Sequence, residues 1–215
     1  MSDWITYRLV DFLMFSPRVY YRLVERYNHD VWPLQIIFIA GGLFALVLAV
    51  RYKNRAIAYP ALAVAWALCA WQFLWMRYAV INWPASYAAA AFLLQAGLMV
   101  VSIRPARAPL PAGRFYGGLG LMLFGLLAYP LLAPFAGRSV ASAETFGLMP
   151  DPTAATTLGA MLALSPKPPW LLLPIPLLWC AVSGLTLWAL QDPGASWAPF
   201  AFIVATLALV LLPRR

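Results

Sequence analysis

Apolar runs about as long as a bilayer is thick recur along this chain, and all of the charge lies outside them, ahead of the first run, in the loops between runs and at the C-terminus. The long runs fall at about 32–50, 56–76, 84–103, 115–135, 170–190 and 197–212. Roughly 20 residues of helix cross a hydrocarbon core of about 30 Å. A backbone in lipid has to satisfy its hydrogen bonds internally, so runs of this length fold as helices. Only 10% of the 215 residues are charged and 64% are hydrophobic, whereas a soluble domain carries roughly 25% charge. The expected fold is an all-α integral membrane protein.

A seventh run, residues 154–164, is short. At 1.5 Å per residue it covers roughly half of the core. It is a short span extended by its flanks or a re-entrant segment. Charge placement arbitrates, because Lys and Arg collect in cytoplasmic loops. If the piece crosses and the N-terminus is outside, then Arg51, Lys53, Arg55, Arg104, Arg107, Arg114, Lys167, Arg214 and Arg215 all lie inside. Arg8, Arg18, Arg22, Arg26, Arg77 and Arg138 then lie outside with all seven acids, Asp3, Asp11, Glu25, Asp30, Glu144, Asp151 and Asp192, and the cleaner evidence is the two triply basic loops. A re-entrant piece would leave Arg214 and Arg215 outside. The expectation is therefore seven spans, with six plus one re-entrant segment as the alternative. The N-terminus is outside and the C-terminus cytoplasmic. No internal repeat supports an inverted-repeat transporter.

Residues 1–31 form an aromatic, charged section ahead of the transmembrane section at 32–215. Ser16-Pro17 reads as an N-cap followed by proline at the first helical position. Val19, Tyr20, Leu23, Val24 and Tyr27 then recur at helical spacing, with Arg18, Arg22 and Arg26 on another face. This pattern predicts amphipathic helices lying in the membrane interface. The arginines either snorkel to lipid phosphates or dock an acidic partner. Small residues supply packing faces inside the spans: Gly41, Ala45 and Ala49 in the first, Ala88 to Ala91 in the third, and Gly117, Gly120 and Gly125 in the fourth. Pro130 and Pro134 should distort the end of the fourth.

Under this topology the polar residues near span ends converge on the outer side. Gln35 and Gln72 end the first two spans. Arg77 and Asn82 lie in a hairpin with the interfacial aromatics Trp75, Tyr78 and Trp83, and Asp151, Thr153 and Thr157 lead into the fifth span. In a lipid solvent such groups face protein or a water-filled vestibule. The candidate binding cluster is Gln35, Gln72, Arg77, Asn82, Asp151 and Thr153. The competing account is that Asp151 and Thr153 cap the fifth span, Asn82 caps the third, and the cluster only ties loops together. Arg77 and Asp151 come to about the same depth, where an unpaired charge is costly. They are expected to pair, or to share a ligand, with Asn82 adding a hydrogen bond. Gln95, the one amide near mid-span, reads as interhelical glue.

Other chemistry is excluded more firmly. The net charge of +8 does not point to nucleic acid, because the cations lie in ones, twos and threes between apolar runs. Cys69 and Cys180 have no metal-ligand spacing and read as small hydrophobes. No ionisable residue lies deep inside a span, which disfavours ion-coupled pumping. The single histidine, His29, has no nucleophile partner, so neither an enzyme nor a cofactor nor a metal site is expected.

Several segments together are distinctive. They are Asp11-Phe-Leu with Phe15-Ser-Pro17, Tyr27-Asn28 with Trp32-Pro-Leu-Gln35, Arg77-Tyr-Ala-Val-Ile-Asn-Trp83, Phe146-Gly147, Pro150-Asp-Pro-Thr153, Leu158-Gly159 and Trp179-Cys180. In these, and in their order, the chain resembles a family of bacterial polytopic membrane proteins known only as a domain of unknown function. A histidine that often stands near Phe73 or Leu74 in that family is absent here. The resemblance implies the bacterial inner membrane and brings no activity with it.

Two functions fit these observations. One is a passive small-solute permease or channel-like protein with an outward-facing polar vestibule. The other is a non-enzymatic accessory or assembly subunit that packs on other membrane subunits. Membrane lipid is a partner in both. The topology has a direct test: a reporter fused after Lys167 is expected to read cytoplasmic, and a periplasmic reading would mean a re-entrant segment and six spans.

Overall fold

The computed structural model describes residues 13–52, 54–103, 110–190 and 193–211. The first of the expected interfacial helices, the cations Lys53, Arg104, Arg107, Arg214 and Arg215, and the acids Asp3, Asp11 and Asp192 lie outside those residues. The described chain is helical, without strands. Helix α1 is Pro17–Asp30 and α2 is Leu34–Tyr52. Helix α3, Arg55–Ile81, is α-helical to Leu68 and then π-helical over Cys69–Tyr78. Helix α4 is Ala85–Val101, and α5 is Ala112–Phe135. Helices α6, α7 and α8 are Pro150–Leu164, Pro174–Ala189 and Pro193–Leu211. By length and composition α2, α3 and α5 are long and apolar enough to cross a membrane, while α4, α7 and residues 195–211 are apolar but shorter.

Local chemistry accounts for several boundaries. The Ser16 hydroxyl accepts from the Val19 amide at 3.4 Å, and Pro17 occupies the first turn, where its missing N–H costs nothing. Asn54 caps α3 by accepting from the Ala56 amide. Pro130 has no N–H to donate, and around it α5 changes winding. Phe124–Ala128 is π-helical, Tyr129–Leu131 is 3₁₀, and Leu132–Phe135 closes the helix.

Helix α6 is the centre of the molecule. All fifteen of its residues are buried. It begins at Pro150, so the short apolar piece at 154–164 is the later part of a longer helix. Its surface is apolar or small on every side, which is the pattern of a helix enclosed by protein. Its threonines do not strand their hydroxyls. Thr153 and Thr156 donate to the carbonyls of Met149 and Pro152, each at 2.7 Å, and Thr157 accepts from the Trp66 indole at 2.8 Å.

Contacts along α6 fix the directions of its neighbours. On α3, Tyr59 meets Ser165, Trp66 meets Thr157 and Cys69 meets Thr153, so α3 runs antiparallel to α6. On α5, Arg114 donates to the Pro166 carbonyl and Tyr129 reaches Asp151, so α5 is antiparallel as well. Phe124 of α5 meets the rings of Trp197 and Phe202, and Leu209 faces Gly117, which sets α8 parallel to α6. The remaining contacts of α2, α4 and α7 complete the pattern, and α2 to α8 alternate in direction in chain order. One end of the bundle therefore holds α1, the N-terminus of α6 and the loop before it. The other holds the C-terminus of α6. Every described acid, Glu25, Asp30, Glu144 and Asp151, lies at the first end with Arg18, Arg22, Arg26, Arg77 and Arg138, and Arg51, Arg55, Arg114 and Lys167 lie at the second.

The closest helix contact joins α5 to α6. A Cβ on Gly118 would stand 2.6 Å from the Gly159 carbonyl oxygen, and one on Gly159 would strike the Met122 backbone. Gly125 lies against the Thr156 amide in the same way. Small residues at this seam let the two backbones touch. The expected seam on the first span is corrected by one position. Gly41 faces open space, and Gly42 packs on Leu126 and Phe146, in line with the buried Leu46 and Ala49. Gly120 likewise has nothing near it, while the expected Gly117 and Gly125 pack on Leu209 and Thr156, and Gly118, which the sequence pattern passed over, makes the contact with Gly159.

Gly118→Ala and Gly159→Ala are each expected to lower stability by about 1–3 kcal/mol through overpacking. Gly120→Ala should be neutral or gain about 0.5–1 kcal/mol, because alanine is the better helix former. Thermal unfolding of the purified variants in one detergent separates the two outcomes.

Candidate functional site

The N-terminus of α6 reads Pro150-Asp-Pro-Thr153. Prolines fit a first turn whose amides have no helical partner, and a carboxylate there meets the positive end of the helix. Neither Asp151 nor Thr153 is the N-cap. That position is Met149, which makes no side-chain capping bond. Both expected caps lie inside the first turn and do other work. Thr153 accepts from the Gly147 amide at 2.8 Å while donating to Met149, and so ties the preceding loop to the helix. Gly147 has φ +79 and carries the ring of Phe38 against its Cα, so no other residue fits there.

Asp151 points sideways, into the contact of α6 with α5 and α7, and is 5% exposed. Three neutral groups donate to it. The Trp179 indole reaches Oδ1 at 2.6 Å, the Ser183 hydroxyl reaches Oδ2 at 2.6 Å, and the Tyr129 hydroxyl reaches Oδ2 at 2.9 Å. Trp179 and Ser183 are four apart on α7 and so share a face. Tyr129 sits where α5 tightens from π to 3₁₀ winding. Burying a carboxylate is costly unless hydrogen bonds replace its water, and bonds from these donors to an ionised group are short and strong.

The expected pairing of Arg77 with Asp151 does not form. Arg77 turns to α1, where its Nη2 stands 3.6 Å from Asp30 Oδ2 and its guanidinium lies 4.6 Å from the centre of the Tyr27 ring. Its Nη1 donates to the Gln72 carbonyl at 2.8 Å and lies 3.3 Å from Gln72 Oε1. The physical reason is the π winding of α3. It brings residues five apart onto one side, and two such pairs result. Gln72 with Arg77 is one, and Phe73 with Tyr78, their rings stacked at 5.8 Å, is the other; both pairs meet α1, Arg77 at Asp30 and Tyr27, Phe73 at Tyr27 and Tyr78 at Tyr20. Burial pushes the phenol of Tyr27 up from its ordinary value, so Arg77 lies over a neutral ring.

The six candidate residues thus separate. Asp151 and Asn82 line one cavity of about 80 Å³, walled by Tyr20, Phe73, Tyr78 and Trp179. Asn82 does not cap α4, whose N-cap is Pro84. Its carbonyl accepts from the Ala85 amide at 2.9 Å. Arg77 lines the groove beside α1, and Gln72 accepts from it. Gln35 donates to the Asn28 carbonyl at 2.7 Å, and Thr153 is bound up in its loop. Elsewhere, Gln95 donates to the Leu172 carbonyl at 3.2 Å and so ties α4 to the segment before α7. Among the described residues no group of three His, Cys, Asp or Glu is placed to hold a metal ion.

Sequence reasoning missed Tyr129, Trp179 and Ser183 as a set. A signal was present. Trp179, Ser183 and Thr186 form a polar stripe at helical spacing in an otherwise apolar run, and Tyr129 directly precedes a helix-breaking proline. A family model described as a family of unknown function, DUF6064, matches residues 17–214. No curated protein and no solved structure matches the chain.

Ser183→Ala and Tyr129→Phe are each expected to cost about 1.5–3 kcal/mol, the range for hydrogen bonds to a charged group. In double-mutant cycles with Asp151→Asn, both should show strong coupling. Arg77→Ala combined with Asp151→Asn should be additive to within about 0.5 kcal/mol. Chemical or thermal denaturation of the four single and three double variants checks this.

Proposed function

The chain belongs to the DUF6064 family of unknown function, and from its geometry we propose a seven-span protein of the bacterial inner membrane that binds a small solute at Asp151 and acts as a passive permease. The outer surface supports the membrane setting. On α2 alone Ile36, Ile37, Phe44 and Val47 are each more than half exposed, a contiguous apolar face of the kind that water does not tolerate. The alternating directions of α2 to α8 fit seven crossings. The end joined by the two triply basic loops, 51–55 and 104–114, is assigned to the cytoplasm by the bias of Lys and Arg in short loops toward that side, with Arg18, Arg22, Arg26, Arg77 and Arg138 left at the outer end. Helix α6 is about 22 Å long, short for a bilayer. Protein surrounds it on all sides, so lipid thickness does not set its length.

The observation that carries the solute reading is the Asp151 carboxylate itself. It is buried, its three hydrogen-bond partners are neutral, and it opens on a cavity with Asn82 and four aromatic rings. Such a site is complementary to a small cation or to a solute rich in N–H donors. A volume near 80 Å³ limits the occupant to a few heavy atoms. Below this level Trp66, Phe92, Met99, Leu158 and Met161 are fully buried and fill the interior. Passage would therefore require helices to move, as in a carrier, and an open channel is not proposed. The same filled interior favours the second reading, a non-enzymatic accessory subunit that binds a solute without passing it.

The test uses methylammonium, guanidinium and sodium ions as probes. At least one is expected to raise the thermal midpoint of the detergent-solubilised protein saturably, with an apparent affinity at least about tenfold weaker in Asp151→Asn, the equivalent of one lost interaction of about 1.4 kcal/mol. Proteoliposomes are expected to take up that probe faster than protein-free vesicles. Stabilisation without uptake supports the accessory reading, and no stabilisation by any probe removes the solute site.

A further inference from the structure

A second site lies outside the Asp151 cavity, in the groove between α1 and the π-helical end of α3. Arg22 and Arg26 are one helical turn apart on α1 and therefore project from the same side. Arg77 faces them from α3, held in place by the Gln72 carbonyl and the Tyr27 ring. The three arginines line a groove of about 370 Å³ with one acid, Asp30. The formal charge of these four groups is +2, three cations less one anion. Arg22 and Arg26 are exposed and have no ion-pair partner among the described residues. Beside the cations the groove is apolar. Met76 is 52% exposed and Val80 79%.

We propose that this groove binds an anionic phospholipid, with the headgroup phosphate among Arg22, Arg26 and Arg77 and an acyl chain along Met76 and Val80. Guanidinium groups match phosphate oxygens in pairs of parallel hydrogen bonds. A soluble phosphate would use only the arginines and leave the apolar lip bare, whereas a phospholipid covers both. The position also fits. Helix α1 lies across the end of the bundle where Trp75 and Trp83 are exposed, and tryptophan prefers the headgroup level. The inference rests on the membrane setting proposed above, and is independent of what occupies the Asp151 cavity.

The experiment compares dioleoyl phosphatidylglycerol with dioleoyl phosphatidylcholine on the purified full chain in detergent, by native mass spectrometry and thermal shift. Phosphatidylglycerol is expected to be retained and to raise the midpoint, and phosphatidylcholine, with the same acyl chains, is not. Arg22→Ala/Arg26→Ala changes only exposed side chains and should weaken phosphatidylglycerol binding roughly tenfold or more, given the contribution of single arginines near an anionic surface. Arg51→Ala, at the opposite end, should bind as the wild type does. Equal effects of the two lipids would overturn the proposal, as would equal losses in Arg51→Ala. Equal stabilisation by glycerol 3-phosphate would assign the groove to a soluble anion. Release of the protein from native membranes by alkaline carbonate would refute the membrane setting itself, a result separate from any lipid preference.

Discussion

A helix with no solvent on any side must find a partner inside the protein for each polar atom it carries. Helix α6 is under that constraint along its whole length, and much of the fold follows from it. Its backbone is reached closely only because Gly118 and Gly125 face it. Its threonine hydroxyls return to carbonyls one turn back or take the Trp66 indole. Just past its C-terminus the chain is held by Tyr59 on Ser165 and by Arg114 on the Pro166 carbonyl. Its one charged side chain draws Tyr129, Trp179 and Ser183 from two different helices. The irregular winding of α5 at Pro130 belongs to the same solution, since Tyr129 reaches the carboxylate from that distorted turn.

Much of the architecture was legible in the sequence because it depends on bulk properties. Twenty-residue apolar runs dictate helices, and the segregation of acids from basic loops predicts which helix ends share a side. Ser16-Pro17 specified a helix start, and Pro130 a distortion. What was not legible depended on choices between near-equivalent neighbours. Gly41 and Gly42 are adjacent, and only the direction of the helix face decides which one meets Leu126 and Phe146. The pairing of Arg77 with Asp151 was sought because a buried charge needs compensation. The direct hydrogen bonds to Asp151 come from three uncharged donors, which a search by charge cannot find, and Arg138 adds a favourable charge nearby. The π winding of α3 left no signature in the apolar pattern, yet it decides that Arg77 enters the groove with Asp30 while Tyr78 enters the Asp151 cavity.

Two sites at the same end of the bundle are built on different chemistry. At Asp151 aromatic rings and hydrogen-bond donors surround a carboxylate and a small cavity. Beside it, facing outward, the arginines of α1 and Arg77 make a cationic groove. The π segment of α3 serves both at once, with Phe73 and Tyr78 lining the cavity and Arg77 lining the groove. A change that rewound this segment to a regular α-helix would alter the cavity and the groove together, although no residue is common to both.

The place of α6 in the chain has a consequence for synthesis. Its partners are divided in time. The helices that precede it, α3 and α5, supply the glycine seam, Trp66 and Tyr129. Trp179 and Ser183 belong to α7, which is made afterwards. When Leu164 has been added, Asp151 has one of its three donors, and the side of α6 that α7 and α8 will cover has nothing against it. The centre of the molecule is therefore among the last parts to be completed, and the unfinished chain must hold a half-enclosed carboxylate until some twenty further residues have been made. A chain that ended after Leu164 would retain most of its helices and most of its core residues, with one side of α6 uncovered.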